Sequence, residues 1–162
     1  MTDSDILKGK KILVVDDEAD VLETIKDELA VCTIITAADF DTALKLIRNN
    51  AYDLIILDIM GVNGFALLEA CVKRRLPAAM LTAHAMNLES LNLAIKLGAI
   101  SFLPKEELGS LPGLVAEILT DLEEGKSHWD KLSRRLGLLF KERLGVVWEE
   151  LEKAPPYPPW VY

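Results

Sequence analysis

Three aspartates and one lysine, each at the end of a short apolar run, are where this chain could do chemistry. Ile12-Leu13-Val14-Val15 ends in Asp16-Asp17, and Leu54-Ile55-Ile56-Leu57 ends in Asp58. Farther on, Ala79-Met80-Leu81 ends in Thr82, and Ile100-Ser101-Phe102-Leu103 runs into Pro104-Lys105. Carboxylates gathered closely raise one another's pKa unless a cation offsets the repulsion. An all-oxygen acidic set suits Mg²⁺, which takes hard ligands and keeps several waters. Zinc fits poorly, because only His84 and His128 offer imidazoles and no cysteine joins them. A bound Mg²⁺ and Lys105 would neutralise the oxygens of an incoming phosphoryl group. Asp58 could then attack phosphorus as a carboxylate nucleophile and form an acyl phosphate, with Thr82 offering a hydroxyl to one phosphoryl oxygen.

Those residues meet only if the runs that carry them lie side by side. Bounded apolar runs of four or so residues, separated by stretches with helical spacing, read as buried strands of a parallel sheet. Val21, Leu22, Ile25 and Leu29 mark a first helix, followed by the strand Thr33-Ile34-Ile35-Thr36. Phe40, Ala43, Leu44 and Ile47 mark a second helix, and Gly64 opens a third with Phe65, Leu68 and Cys71 or Val72. Leu88, Leu91, Ala94 or Ile95 and Leu97 mark a fourth, closed by Gly98, and Pro112 starts a fifth. Strict alternation implies an α/β fold with right-handed crossovers and a doubly wound, five-stranded parallel sheet. The expected order is 2-1-3-4-5, the flavodoxin-like arrangement. It sets strands one and three side by side and brings Asp16, Asp17 and Asp58 together at the switch point beyond the strand ends.

From about Lys10 to Leu122 the chain resembles the receiver domain of bacterial two-component response regulators. The resemblance is carried by Asp16-Asp17-Glu18, Leu57-Asp58, Met80-Leu81-Thr82-Ala83, and Gly98-Ala99 through Phe102-Leu103-Pro104-Lys105. Any one of these is weak; together and in order they are specific. The resemblance implies that Asp58 accepts a phosphoryl group from a partner histidine kinase or phosphotransfer protein. It implies that Asp17, Asp58 and the backbone carbonyl of Met60 bind Mg²⁺ directly, with Asp16 acting through water. Thr82 would be the switch hydroxyl, Phe102 the aromatic that turns inward, and Lys105 the phosphate-pairing cation. The positions of Met60 and His84 would tune how long the phosphoryl group lasts. Such a module catalyses only its own phosphorylation and dephosphorylation and signals through contacts with a downstream protein target.

Departures from that pattern are visible too. Asp58-Ile59-Met60-Gly61-Val62-Asn63-Gly64 lacks the usual Met-Pro pair, so the loop is short, and Arg74-Arg75-Leu76-Pro77 is also compressed. Glu106 follows Lys105 where the family mostly has a cis proline; a cis bond before a non-proline costs roughly 3 kcal/mol, so a trans bond is expected. The short loop motivates a second reading, a degenerate receiver that binds partners without phosphorylation. A hydrolase of the haloacid dehalogenase type fits less well, since it needs Asp-x-Asp where Asp16 and Asp17 are adjacent. Blander roles compete at single positions: a helix cap for Asp16-Asp17, strand packing for Phe102, an exposed loop site for His84.

Composition bounds the rest. The 162 residues suffice for one core plus an extension, and 51% apolar with 27% charged residues describes a globular chain. A net charge of −8 argues against direct binding of nucleic acid or an anionic membrane. No apolar run approaches the roughly 20 residues needed to span a bilayer, and Met1 to Lys11 lacks the apolar core of a signal peptide. Cys32 and Cys71 show no paired motif and read as free buried thiols, which together suggest a cytoplasmic protein. The expected division is a receiver domain over 1–125, an amphipathic helical extension over 126–153 and a Pro/aromatic-rich tail over 154–162. Trp129, Leu132, Leu136, Phe140, Leu144, Val147 or Trp148 and Leu151 form one apolar stripe in that extension, interrupted by Gly137 and Gly145. Residues 127–153 hold six basic and five acidic side chains, too balanced for a DNA patch. The stripe must be covered by the chain's own sheet domain, by a second copy in a homodimer, or by another protein.

Overall fold

The structure, a computed structural model, describes residues 1–83 and 87–126. The five apolar runs form strands β1 (Lys11–Val15), β2 (Thr33–Ala37), β3 (Leu54–Asp58), β4 (Ala78–Thr82) and β5 (Ser101–Pro104). All pair in parallel, in the order β2-β1-β3-β4-β5 expected from the sequence. Register is what makes a site possible. Val15 lies opposite both Ala37 and Leu57, Asp58 opposite Leu81, and Thr82 opposite Pro104. The carboxyl ends of β1, β3, β4 and β5 therefore stop nearly level, and the polar residues that follow them share one edge.

Period-two alternation divides the strand residues between two apolar layers. Leu13, Val15, Ile55, Leu57, Met80 and Phe102 face helices α3 (Phe40–Asn49), α4 (Gly64–Lys73) and α5 (Leu88–Leu97). Ile12, Val14, Leu54, Ile56, Ala79, Leu81 and Leu103 face α1 (Asp3–Leu7), α2 (Ala19–Glu28) and α6 (Leu111–Glu124). Both faces of β1, β3 and β4 are covered, which is why their sequences read as unbroken apolar runs rather than as alternation.

Local signals explain where the helices begin and end. Asp39 and Asn87 accept from the backbone N–H groups of Thr42 and Ser90, each at 2.8 Å, as N-caps of α3 and α5. Gly98 and Gly125 close α5 and α6 in the left-handed conformation, φ 108° and 67°. Asn87→Ala should cost about 1 kcal/mol in urea unfolding, the usual worth of an N-cap.

Two elements were not anticipated. The single-turn helix α1 has only Ile6 and Leu7 as apolar residues, too few for a periodic signal; a capping box between Thr2 and Asp5 and burial of Leu7 hold it. A 3₁₀ segment at Lys105–Ser110 links β5 to α6, and α6 begins at Leu111, one residue before Pro112. The Lys105–Glu106 bond is trans, as expected. Both cysteines are free; Cys71 is buried, and burial pushes its thiol up to about 12, whereas Cys32 is only half-buried and donates to the Leu7 carbonyl at 3.3 Å.

Gly64 shows how tightly the third crossover is drawn. Its N–H donates to the Ile59 carbonyl at 2.9 Å, and a Cβ there would collide with the Asp58 carbonyl oxygen and lie 2.8 Å from Ile59 Cα. Backbone cannot give way as a side chain can. Gly64→Ala should lose at least about 2 kcal/mol of stability by overpacking, measurable as a shift of the urea midpoint.

Candidate functional site

Asp16 is the buried floor of the strand-end edge. Its backbone N–H still pairs with the Ala37 carbonyl of β2 at 3.1 Å, which holds the residue to the end of β1. Oδ1 accepts from the Glu18 N–H at 2.9 Å, and Oδ2 lies 2.9 Å from Lys105 Nζ. The same ammonium lies 3.1 Å from Asp58 Oδ1 and 3.1 Å from Glu18 Oε1. One cation thus ties two carboxylates of the β1–α2 loop to the carboxylate at the end of β3. The 3₁₀ turn beginning at Lys105 sends the side chain back over the sheet without a cis bond.

Burial raises the Asp16 pKa above the ordinary carboxylate range. The Glu18 N–H and the Lys105 ammonium pull the other way, and repulsion from Asp58 adds to the rise. Burial alone would lower Lys105, but its bonds to Asp16, Glu18 and Asp58 outweigh this and hold the ammonium above its ordinary value. For Asp16 the folded state holds the proton more tightly than the unfolded chain, whose value is near 3.8. That contribution to stability is complete below the unfolded pKa and is lost as pH rises through the folded one. Asp16→Asn should accordingly gain stability relative to the parent as pH climbs from about 4 towards neutrality, read by urea melts across pH.

The remaining residues complete the edge to different degrees. Asp17 is exposed, and one oxygen each of Asp16, Asp17 and Glu18 lie within 4.8 Å of one another. Asp58 Oδ2 accepts from the Gly61 N–H at 3.0 Å. A Cβ on Gly61 would run into Asp17 Oδ1 and lie 2.7 Å from Asp58 Oδ2, so the two carboxylates flank a space that only glycine leaves open. Thr82 is buried at the end of β4, and its hydroxyl has no hydrogen-bond partner among the described residues. Phe102 is fully buried on β5 opposite Met80. The Met60 residue is 74% exposed. His84 lies outside the described residues, as do 127–153 of the extension and the whole tail 154–162.

A hard divalent cation fits this donor set: among the described residues, carboxylate oxygens with no sulfur or imidazole, a space between Asp17 and Asp58 that a methyl would fill, and the Thr82 hydroxyl without a hydrogen-bond partner. Two participants were missed from sequence. Glu18, noted only as part of a motif, pairs with Lys105, and Gly61, noted only as part of a short loop, touches Asp58. The signal was present in the acidic triplet and in a glycine three residues beyond an acid, but neither spacing specifies a partner.

Comparison with known proteins bears on the whole of this domain. The family model of the response regulator receiver domain matches residues 12–115. The alkaline phosphatase synthesis transcriptional regulatory protein PhoP of Bacillus subtilis is 34% identical over 103 residues, covering 60% of this chain and 42% of that protein. Response regulator GtcR of Aneurinibacillus migulanus is 35% identical over 102 residues, again 60% of this chain and 42% of the relative. The chain therefore spans less than half the length of either regulator. Among solved structures, a CheY-like receiver domain protein from Methanospirillum hungatei superposes with a TM-score of 0.66 at 26% identity, covering 73% of this chain and 99% of that one. NtrX from Brucella abortus gives 0.62 at 34% identity, covering 81% of this chain and 29% of its own.

Proposed function

Because the chain belongs to the response regulator receiver family, we propose that it is a phosphorylation-switched receiver that takes a phosphoryl group on Asp58 from a histidine kinase or phosphotransfer protein. The observation that carries this reading is one ammonium, Lys105, held 3.1 Å from Asp58 and 2.9 Å from Asp16, beside the unpartnered hydroxyl of Thr82. In the transfer, an Asp58 carboxylate oxygen forms a bond to phosphorus. The donor's bond to phosphorus breaks, and its electron pair leaves with the donor. Lys105 then pairs with the added negative charge, and the Thr82 hydroxyl donates to a phosphoryl oxygen. Asp17, Asp58 and the Met60 carbonyl would hold Mg²⁺, with Asp16 acting through water. When bound, that ion supplies charge neutralisation for the phosphoryl oxygens.

Output follows from the same residues. Drawing Thr82 toward the phosphoryl group alters the end of β4, and Phe102, already buried on the adjoining strand, repacks against the space it leaves. The face made by α5, β5 and α6 then changes for a downstream protein target. The receiver unit is taken as 1–125, consistent with the Gly125 cap of α6, with 126–153 as a helical extension and 154–162 as a tail. Homodimerisation through the extension is part of the proposal, as is the absence of direct nucleic-acid contact. Among the described residues no helix is long and apolar enough to cross a membrane.

The test is intact mass after incubation with Mg²⁺ and a small acyl phosphate. A gain of one phosphoryl group, abolished by chelation, is the expected result. No gain in the parental chain, with partner binding intact, would sink the reading.

A further inference from the structure

Five residues, Ile59 to Asn63, separate β3 from α4, and in so short a loop the main chain at Gly61 comes up between the two aspartates. The Gly61 N–H donates to Asp58 Oδ2 at 3.0 Å, and the Cα hydrogen that a side chain would replace faces Asp17. Positive φ among the described glycines occurs at Gly9, Gly98 and Gly125, so the backbone of Gly61 is open to any L residue. Conformation does not require glycine there; the neighbouring side chains do. An ideal Cβ would collide with Asp17 Oδ1, lie 2.6 Å from Asp17 Cγ and 2.7 Å from Asp58 Oδ2.

Which neighbour yields is decided by how each is held. Asp58 is buried and fastened through Oδ1 to Lys105 at 3.1 Å. Asp17 is exposed, and a short side chain at the surface turns outward at little cost. A methyl at position 61 therefore swings Asp17 away from Asp58 and presses on Asp58 Oδ2, both contacts being with side-chain ends rather than backbone. We infer that Gly61 is a positioning residue of the acidic cradle, setting the separation at which Asp17 and Asp58 can share one divalent cation. The inference rests on the receiver reading above and assigns a role to a loop residue that touches the cation only through its neighbours.

The experiment uses the full chain, with Mg²⁺ affinity read by calorimetric titration and stability read by thermal melts in chelator. Gly61→Ala is compared with Asp17→Asn and with Gly109→Ala, a glycine with open space around it. The Mg²⁺-free melt of Gly61→Ala should stay close to the parent's, because restriction of the unfolded chain offsets the displacement of two side-chain ends. Its Mg²⁺ affinity should fall about 10- to 100-fold, as when the support of a metal ligand is removed. That loss should approach the loss in Asp17→Asn, while Gly109→Ala binds like the parent. Parental affinity in Gly61→Ala overturns this inference and leaves the receiver reading standing. A Mg²⁺-free melt far below the parent's also overturns it, since glycine would then serve the fold. Failure of the parental chain to bind Mg²⁺ at all removes both.

Discussion

Asp58→Asn will take up no phosphoryl group from an acyl phosphate in the presence of Mg²⁺, and the loss will be complete rather than graded. An amide oxygen is a poor nucleophile, and phosphorylating it would not give the acyl phosphate that a carboxylate forms. The neighbouring acids cannot substitute. Asp16 is fully buried with both oxygens engaged, Oδ1 by the Glu18 N–H and Oδ2 by Lys105. Asp17 is exposed, but no cation of the described residues pairs with it as Lys105 pairs with Asp58. Thr82→Ala provides the contrast. Removing a single donor to a developing oxyanion slows a transfer by about 100-fold or more without removing the nucleophile. Intact mass over time should then show a slow gain in Thr82→Ala and none in Asp58→Asn. A normal gain in Asp58→Asn would place the acceptor elsewhere and end the proposal.

The same chain shows which links from sequence to site can be read in advance. Strand order and the meeting of Asp16, Asp58 and Lys105 were legible, because four fully or nearly fully apolar runs end in polar residues and register leaves those ends level. Burial of the strands on both faces is a bulk property that short apolar runs encode directly. The Lys105 approach was legible only in part. The missing cis proline was evident, but the 3₁₀ turn that returns the ammonium to Asp16 depends on where α6 packs, a tertiary fact. Gly61 and Glu18 were illegible as partners for a different reason. Each acts through a contact a few ångströms long that loop closure creates, and a loop of five residues has many closures with the same sequence pattern. The helix α1 fell below the length at which periodicity exists, although its capping box is a sequence signal.

Lys105→Met should destabilise the fold by about 3 kcal/mol in urea unfolding without Mg²⁺, because removing one partner of a buried ion pair leaves the other charge uncompensated. Here it leaves two. Asp16 and Asp58 are both buried, and their nearest counter-charge at 2.9 and 3.1 Å is this ammonium. The Lys105 side chain is only 15% exposed, so solvent screens these contacts weakly, whereas the pairing with exposed Glu18 contributes little. A methionine preserves the stem that packs over the sheet end, which separates lost charge from lost volume. Adding Asp58→Asn to Lys105→Met should then return about 1–2 kcal/mol, since the second substitution removes the charge the first left unpaired. Taken alone, Asp58→Asn removes a repulsive neighbour of Asp16 and a partner of Lys105 together, so its own effect should be smaller than that of Lys105→Met. Mg²⁺ should raise the stability of Lys105→Met by mass action if Asp17 and Asp58 still hold the ion, because a second source of positive charge enters the same cluster. Additive losses in the double variant would mean that Lys105 does not serve Asp58. The phosphoryl group would then lack its cation, and the receiver reading would have to find its positive charge in the metal alone.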